Sequence, residues 1–261
     1  RKINSGSKEM NEDIKKALDH FQKMEYKEAL EIFERLLEEE ENAGLLNNIG
    51  TCYFKLGNLD KALEFYQRGL RADRELKQLY KNISDIYVEK GDVMSAIGIL
   101  QDAVSAMPDE DYLRYALAKL YIKDCHQDIA VDELQKILDH NPDNLEAKYE
   151  LAKIYYDEGS YDEAAEYYES ISEKLENADI FFWLGESYAA AGNLDKAIFA
   201  YLRSISKNEM YYPSYKKLGL CYMAQDDKDS AAEFFEDYLQ FDTPDVKERE
   251  EIEKILEKLK S

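Results

Sequence analysis

The sequence predicts an all-α fold, an α-solenoid in which antiparallel helix pairs stack one after another. Three observations predict it. Glycine (11) and proline (4) are scarce among 261 residues while hydrophobic residues make up 45%, which disfavours a loop-rich or all-β chain. The segments GTCYFKLGNLDKAL (50–63) and GESYAAAGNLDKAI (185–198) nearly coincide, 135 residues apart. Around them one alanine recurs, at Ala29, Ala62, Ala96, Ala130, Ala164, Ala197 and Ala231, with gaps of 33, 34, 34, 34, 33 and 34 residues. A fixed period in this range marks a solenoid built from one repeated supersecondary unit.

Other positions keep step with these alanines. Twelve residues upstream stand Ala17, Gly50, Ser84, Ala118, Ala152, Gly185 and Gly219, all small enough for two helices to approach closely. Nine upstream stand His20, Tyr53, Tyr87, Tyr121, Tyr155, Tyr188 and Tyr222, and four downstream Phe33, Tyr66, Leu100, Leu134, Tyr168, Tyr201 and Phe235, which fill the space between helices. Five upstream, where a helix must end, stand Met24, Gly57, Gly91, Cys125, Gly159, Gly192 and Asp226. Glycine suits that turn because it takes a left-handed conformation; Cys125 and Asp226 depart from it.

The elements follow in order. After a tail over 1–9, seven helix–turn–helix repeats are expected at about 10–42, 43–76, 77–110, 111–144, 145–177, 178–211 and 212–244. The first carries Lys16 where later repeats are apolar, as a terminal repeat with no preceding neighbour should. Pro108 and Pro142 stop the second helices of the third and fourth repeats, and Ser160 with Glu163 reads as a capping box in the fifth. Over 245–261, Ile252, Ile255, Leu256 and Leu259 make one apolar stripe on a charged helix, read as a cap on the seventh repeat. Thr243, Pro244 and Asp245 suit its start. The expectation is fifteen helices in one continuous solenoid.

Spacing and residue types together resemble the tetratricopeptide repeat, most closely in LGESYAAAGNLDKAIFAYLRSI (184–205) and LAKIYYDEGSYDEAAEYYESI (151–171). The resemblance covers about residues 10–244. It implies a right-handed α-α superhelix whose first helices line a concave surface that binds a peptide or protein segment.

Charge and chemistry narrow the function. With 56 acidic against 34 basic residues the formal net charge is −22, so neither nucleic acid nor an anionic membrane surface is an expected partner, and no apolar stretch is long enough for membrane insertion. The chain opens RKINSGSKEM, without an initiator methionine or apolar signal core, which predicts a piece of a longer product and leaves the compartment open. Cys52, Cys125 and Cys221 form no CxxC and are read as thiols packed as small hydrophobes, a pattern that suits a reducing compartment. His20, His126 and His140 have no partner at helical metal spacing, and adjacent Cys125 and His126 make a poor chelate. No phosphate loop, dinucleotide fingerprint or nucleophile elbow is present. LLEEEEN (36–42) reads as a solvated helix end and NIS (82–84) as a chance match to a glycosylation acceptor. The expectation is therefore no enzyme, no metal and no cofactor.

Transferred to the first helices, the groove of the resembling family falls on three zones: Ile14, Leu18, Phe21, Asn47, Thr51 and Phe54; then Lys81, Asp85, Val88, Tyr115, Lys119, Ile122, Lys123, Tyr149, Lys153 and Tyr156; then Phe182, Glu186, Ala189, Lys216, Leu220 and Met223. The peptide-binding set expected from these is Lys81, Tyr115, Lys119, Lys123, Tyr149, Lys153, Tyr156, Phe182, Leu220 and Met223. Lysines beside tyrosines suit an extended acidic and apolar segment; the competing reading is that they balance nearby carboxylates. A chaperone-type carboxylate clamp is disfavoured, because Asn11, Lys15 and Asn48 are followed by Gln78 and Asn82 where cations belong. Asn48 and Asn82 give two rungs of an asparagine ladder. The predicted function is a non-catalytic scaffold that binds a partner polypeptide. Its alternatives are the targeting arm of a larger enzyme, such as a glycosyltransferase, or a scaffold that self-assembles into homo-oligomers.

Overall fold

The computed structural model describes residues 3–242 and 245–260, and these form fifteen α-helices and no strand. In order they are α1 (Ile3–Gln22), α2 (Tyr26–Glu39), α3 (Ala43–Lys55), α4 (Leu59–Ala72), α5 (Lys77–Glu89), α6 (Val93–Ala106), α7 (Asp111–Lys123), α8 (Gln127–His140), α9 (Leu145–Asp157), α10 (Tyr161–Ser172), α11 (Ala178–Ala190), α12 (Leu194–Lys207), α13 (Tyr212–Ala224), α14 (Lys228–Gln240) and α15 (Val246–Leu259). They gather into two compact units, residues 1–140 with α1–α8 and residues 141–261 with α9–α15. Helix α1 begins at Ile3, so residues 3–9 belong to it.

Within each unit the helices of a repeat pair with one another, and each second helix packs on the first helix that follows: α2 on α3, α4 on α5, α6 on α7, then α10 on α11, α12 on α13 and α14 on α15. Successive first helices also touch, α3 with α5, α5 with α7 and α11 with α13. That places the first helices on the inner side of each unit.

Burial follows the repeat. All seven recurring alanines are fully buried, and the residues four downstream of them, from Phe33 to Phe235, are at most 2% exposed. The small residues opposite explain why such bulk fits: a Cβ on Gly50 would lie 2.6 Å from the Tyr66 ring, and one on Gly219 2.5 Å from Phe235. A second register adds stacked rings between the tyrosine series and the residue three after the alanine. Tyr53 lies on Phe65 at 5.5 Å, Tyr155 on Tyr167 at 5.8 Å and Tyr222 on Phe234 at 5.5 Å. Lys16 is exposed beside Asp13 at 3.4 Å, whereas Ile49, Ile83, Leu117, Leu151, Leu184 and Leu218 at the matching positions are buried.

The intra-repeat turns are alike. Met24, Gly57, Gly91, Cys125, Gly159, Gly192 and Asp226 all have φ between 59° and 84°. Each turn carries the paired bonds of a Schellman motif: Gly57 N–H donates to Phe54 C=O at 3.0 Å and Asn58 N–H to Tyr53 C=O at 2.9 Å, while Cys125 and His126 repeat this onto Ile122 and Tyr121 at 3.1 and 2.8 Å. The residue that closes the turn also opens the next helix. Asn58, Asp92, Asn193 and Asp227 cap with side-chain oxygens on the N–H three residues on. Ser160 does not, and the predicted capping box is corrected here: Ser160 makes no side-chain cap bond. Its backbone N–H already donates to Tyr155 C=O at 2.8 Å, which leaves nothing for Glu163 to accept.

Helix α15 packs on α14. Ile252 is buried with Ala231, Phe235 and Tyr238, and Ile255, Leu256 and Leu259 pack against that cluster. Asp245 caps α15 through Glu248 N–H at 3.0 Å; Thr243 and Pro244 lie outside the described residues. Of the cysteines, Cys52 and Cys221 are buried as expected, but Cys125 is exposed because it sits in a turn rather than in the core.

Candidate functional site

The predicted set divides between the units: Lys81, Tyr115, Lys119 and Lys123 lie in the first, and Tyr149, Lys153, Tyr156, Phe182, Leu220 and Met223 in the second. In the first unit Lys81 on α5 donates to both carboxylate oxygens of Asp85 one turn on, at 2.6 and 2.7 Å, so its charge is matched locally. Tyr115 is half-buried on α7; Lys119 and Lys123 are exposed on the same helix. Asn82 donates to Asn47 Oδ1 at 2.8 Å, and Tyr66 donates to Thr51 at 3.0 Å, so the polar residues of this face are tied to one another. Asn82 is thereby engaged with Asn47 and not with Asn48.

The second unit holds a denser arrangement. Lys153 Nζ stands 5.8 Å from the centre of the Tyr149 ring and 4.0 Å from Glu150. Tyr156 meets Trp183 edge-on at 5.6 Å; Trp183 meets Phe182 at 5.7 Å; Phe182 meets Tyr211 at 5.5 Å. These rings come from α9, from α11 and from the turn before α13, and two of them are anchored beyond the run. Phe182 rests on buried Tyr201 at 5.9 Å, and Tyr211 donates to Asp179 at 2.7 Å. Trp183 and Tyr211 were not in the predicted set. A strict one-in-four face skips Trp183, one residue past Phe182, although an apolar stripe on a helix is broad enough to include both.

Beside the rings a cleft of about 320 Å³ opens between α11, α12 and α13, lined by Tyr156, Ala189, Leu194 and Leu220 with Glu186, Tyr201 and Lys217 at its polar side. Tyr201 donates its hydroxyl to Glu186, whose second oxygen accepts from Lys217 at 2.5 Å. Burial first, and then the Glu186 carboxylate, push the Tyr201 phenol far above its ordinary pKa. Burial likewise raises Tyr149 and Tyr156, with neighbouring carboxylates adding to it. All three are neutral donors at physiological pH. Leu220 and Met223 are 39% and 38% exposed along the rim. Lys216 is taken up by Glu248 of α15.

Chemically this surface offers ring faces, two exposed apolar side chains and one cation, the elements of apolar side-chain capture. Among the described residues no group of three or more His, Cys, Asp or Glu side chains is placed to hold a metal ion. No helix among them is long and apolar enough to cross a membrane.

Comparison with known proteins agrees with the geometry. Four tetratricopeptide repeat models match residues 43–76, 128–177, 171–213 and 217–241, together more than half of the chain. No curated protein matches it in sequence. Among solved structures, a tetratricopeptide repeat protein from Parabacteroides merdae aligns over 97% of this chain and 99% of its own at 22% identity, with a TM-score of 0.60. The C-terminal part of a repeat protein from Cytophaga hutchinsonii aligns over 92% and 98% at 20% identity, with a TM-score of 0.75. YrrB, described as having an unusual peptide-binding site, aligns over 74% and 97% at 24% identity, with a TM-score of 0.55. These likenesses concern the fold.

Proposed function

Because the chain belongs to the tetratricopeptide repeat family, we propose that it is a non-catalytic scaffold that holds a partner polypeptide on the inner side of its first helices. Proteins of this family bind protein partners. The observation that carries the reading is the run Tyr156–Trp183–Phe182–Tyr211 in the second unit, with Lys153 at one end and Leu220 and Met223 along the rim. Rigid aromatic side chains offer large contact area at small entropic cost. The partner segment is extended and apolar or aromatic, with an acidic residue for Lys153. Lys81, already matched by Asp85, balances charge in the first unit, while Tyr115, Lys119 and Lys123 offer a surface within that unit.

Trp183 is the one tryptophan of the sequence, so binding reports on itself. A captured partner fragment is expected to shift Trp183 emission on titration. Leu220→Asp with Met223→Asp, at half-exposed positions, is expected to abolish both capture and the shift while leaving the melting temperature in place. Equal capture by the intact and doubly substituted chains would remove the site from this face.

A further inference from the structure

A larger cleft than the one beside the rings lies in the first unit, where α4 and α6 part over α5. It measures about 690 Å³ and has an apolar floor of Leu70, Tyr80, Ile83 and Ile99. On one wall stand Arg71 and Arg74, both exposed, and on the other Asp102. Neither arginine forms an ion pair with a described residue. The other five described arginines all do: Arg35 with Asp13, Arg68 with Glu41, Arg114 with Glu133, Arg203 with Glu176 and Arg249 with Glu253. In a chain with 56 carboxylates that exception is informative.

The repeat supplies an internal control. The same cleft recurs in the second unit between α10 and α12, over α11. There the positions of Arg71 and Arg74 are taken by Glu173 and Glu176, and those of Asp102 and Ala106 by Arg203 and Lys207. The charges are reversed, and they close on each other: Glu176 accepts from Arg203 at 3.0 Å and from Lys207 at 2.5 Å. Arg203 also lies 4.1 Å over the Phe181 ring, covering the floor. In the first unit Ala106 stands where the second has Lys207, and the two guanidiniums are left without a carboxylate partner among the described residues, beside a floor of half-buried Leu70 and Ile99 and buried Tyr80 and Ile83. No described carboxylate plays the part of Glu176 in the first cleft.

We propose that the α4–α5–α6 cleft is a second polypeptide-binding site, which takes a short acidic segment with its carboxylates on Arg71 and Arg74 and an apolar side chain on Leu70, Tyr80 and Ile99. Two guanidinium forks match carboxylates in pairs, and the apolar floor restricts binding to segments that alternate acid and hydrophobe. This site lies in the first unit and shares no residue with the aromatic run of the second.

The test is fluorescence anisotropy on the full chain with a labelled short peptide of alternating glutamate and leucine or phenylalanine. Expected is saturable binding that weakens with salt, falls tenfold or more for R71Q/R74Q, falls as far when glutamine replaces glutamate in the peptide, and is unmoved by K81E/K119E/K153E. Methyl signals of Ile83 and Ile99 shift with the peptide. Equal affinity for the glutamine peptide, equal affinity in R71Q/R74Q, or no binding at millimolar peptide overturns the proposal. So does a concentration-dependent dimer of the free chain that R71Q/R74Q abolishes, which would place a second copy in the cleft. Both arginines are exposed, so the variant is expected to melt with the parent; R71K/R74K, which keeps the charge but not the fork, is expected to fall in between.

Discussion

A Cβ placed on Gly185 would stand 2.6 Å from Cε1 of Tyr201, closer than side-chain carbons approach one another. The ring has no retreat, being fully buried with its hydroxyl held by Glu186. The same bond links the core to the candidate groove, because Glu186 is fixed between Tyr201 and Lys217 at the polar side of the cleft.

Gly185→Ala is therefore expected to destabilise the second unit by about 1–2 kcal/mol, an overpacking cost reduced by the better helix propensity of alanine. Gly98 in α6 meets nothing within 4 Å, and Gly98→Ala is expected to stabilise by about 0.5–1 kcal/mol. Urea unfolding followed by Trp183 emission for the first and by circular dichroism for the second gives both signs. A stabilising Gly185→Ala would refute the close approach.

The turns give a second test. Cys125 and Asp226 hold φ of 59° with side chains that disfavour it, at a cost of about 1–2 kcal/mol for an ordinary L-residue and less for aspartate. Cys125→Gly is expected to raise stability by about 1 kcal/mol and Asp226→Gly by about half that, after the added freedom of the unfolded chain is subtracted. Thermal melts check the order; a loss at Cys125 would mean that its thiol contributes more than the backbone strain.

These turns also show what was legible in the sequence. Four glycines announced the left-handed residue, and Met24, Cys125 and Asp226 follow suit because the two Schellman bonds fix the backbone whatever the side chain. The same bonds hid the failure of the Ser160 capping box, since sequence spacing does not reveal that an N–H is already spent. Core positions were readable because period and burial coincide, from Ala29 to Phe235. The site was only half readable. Phe182 fell on the expected face, but Trp183 and Tyr211 join it through ring contacts that cross helices. Lys81, expected as a groove cation, pairs with Asp85 one turn on, a contact that spacing alone does not decide. Arg71 and Arg74 drew no attention because they lie off the first helices, and their meaning depends on comparison with Glu173 and Glu176.

Thiol reactivity separates the three cysteines. Burial pushes the Cys52 and Cys221 thiols up to about 11, with Glu34 and Glu186 adding to it respectively, while Cys125 is exposed. At pH 8 a thiol-specific reagent is expected to modify one cysteine per folded chain quickly and all three in denaturant; Cys125→Ser should abolish the fast phase. The linkage has a definite sign. A thiol whose folded pKa is raised contributes its stability fully below the unfolded value and loses it as pH climbs from there toward about 11. Unfolding free energy should therefore fall above pH 9 through these two groups, and less steeply in a Cys52→Ala variant once its lower baseline is set aside. A flat profile from pH 8 to 11 would contradict the assignment.

The last test concerns the end of the second unit. Helix α15 covers Phe235 and Tyr238 with Ile252, and Arg249 donates to the carbonyls of Phe241 at 3.0 Å and Leu239 at 2.6 Å, meeting acceptors that the end of α14 would otherwise leave to solvent. Lys216 is held to Glu248 and Lys260 reaches Glu236 at 2.5 Å. Apolar contact and backbone capture thus act at one joint. Deleting residues 245–261 uncovers the apolar cluster and returns Lys216 to the surface near Leu220. The truncated chain is expected to melt several degrees lower and to form oligomers that grow with concentration, seen by light scattering. Ile252→Asp, which keeps the helix but buries a charge, is expected to do the same at a cost of about 3 kcal/mol or more. Arg249→Ala removes the two carbonyl bonds and the exposed ion pair with Glu253, and should cost about 1–3 kcal/mol without oligomers. If the truncated chain stays monomeric at the parent melting temperature, α15 is an appendage and the seventh repeat closes the unit by itself.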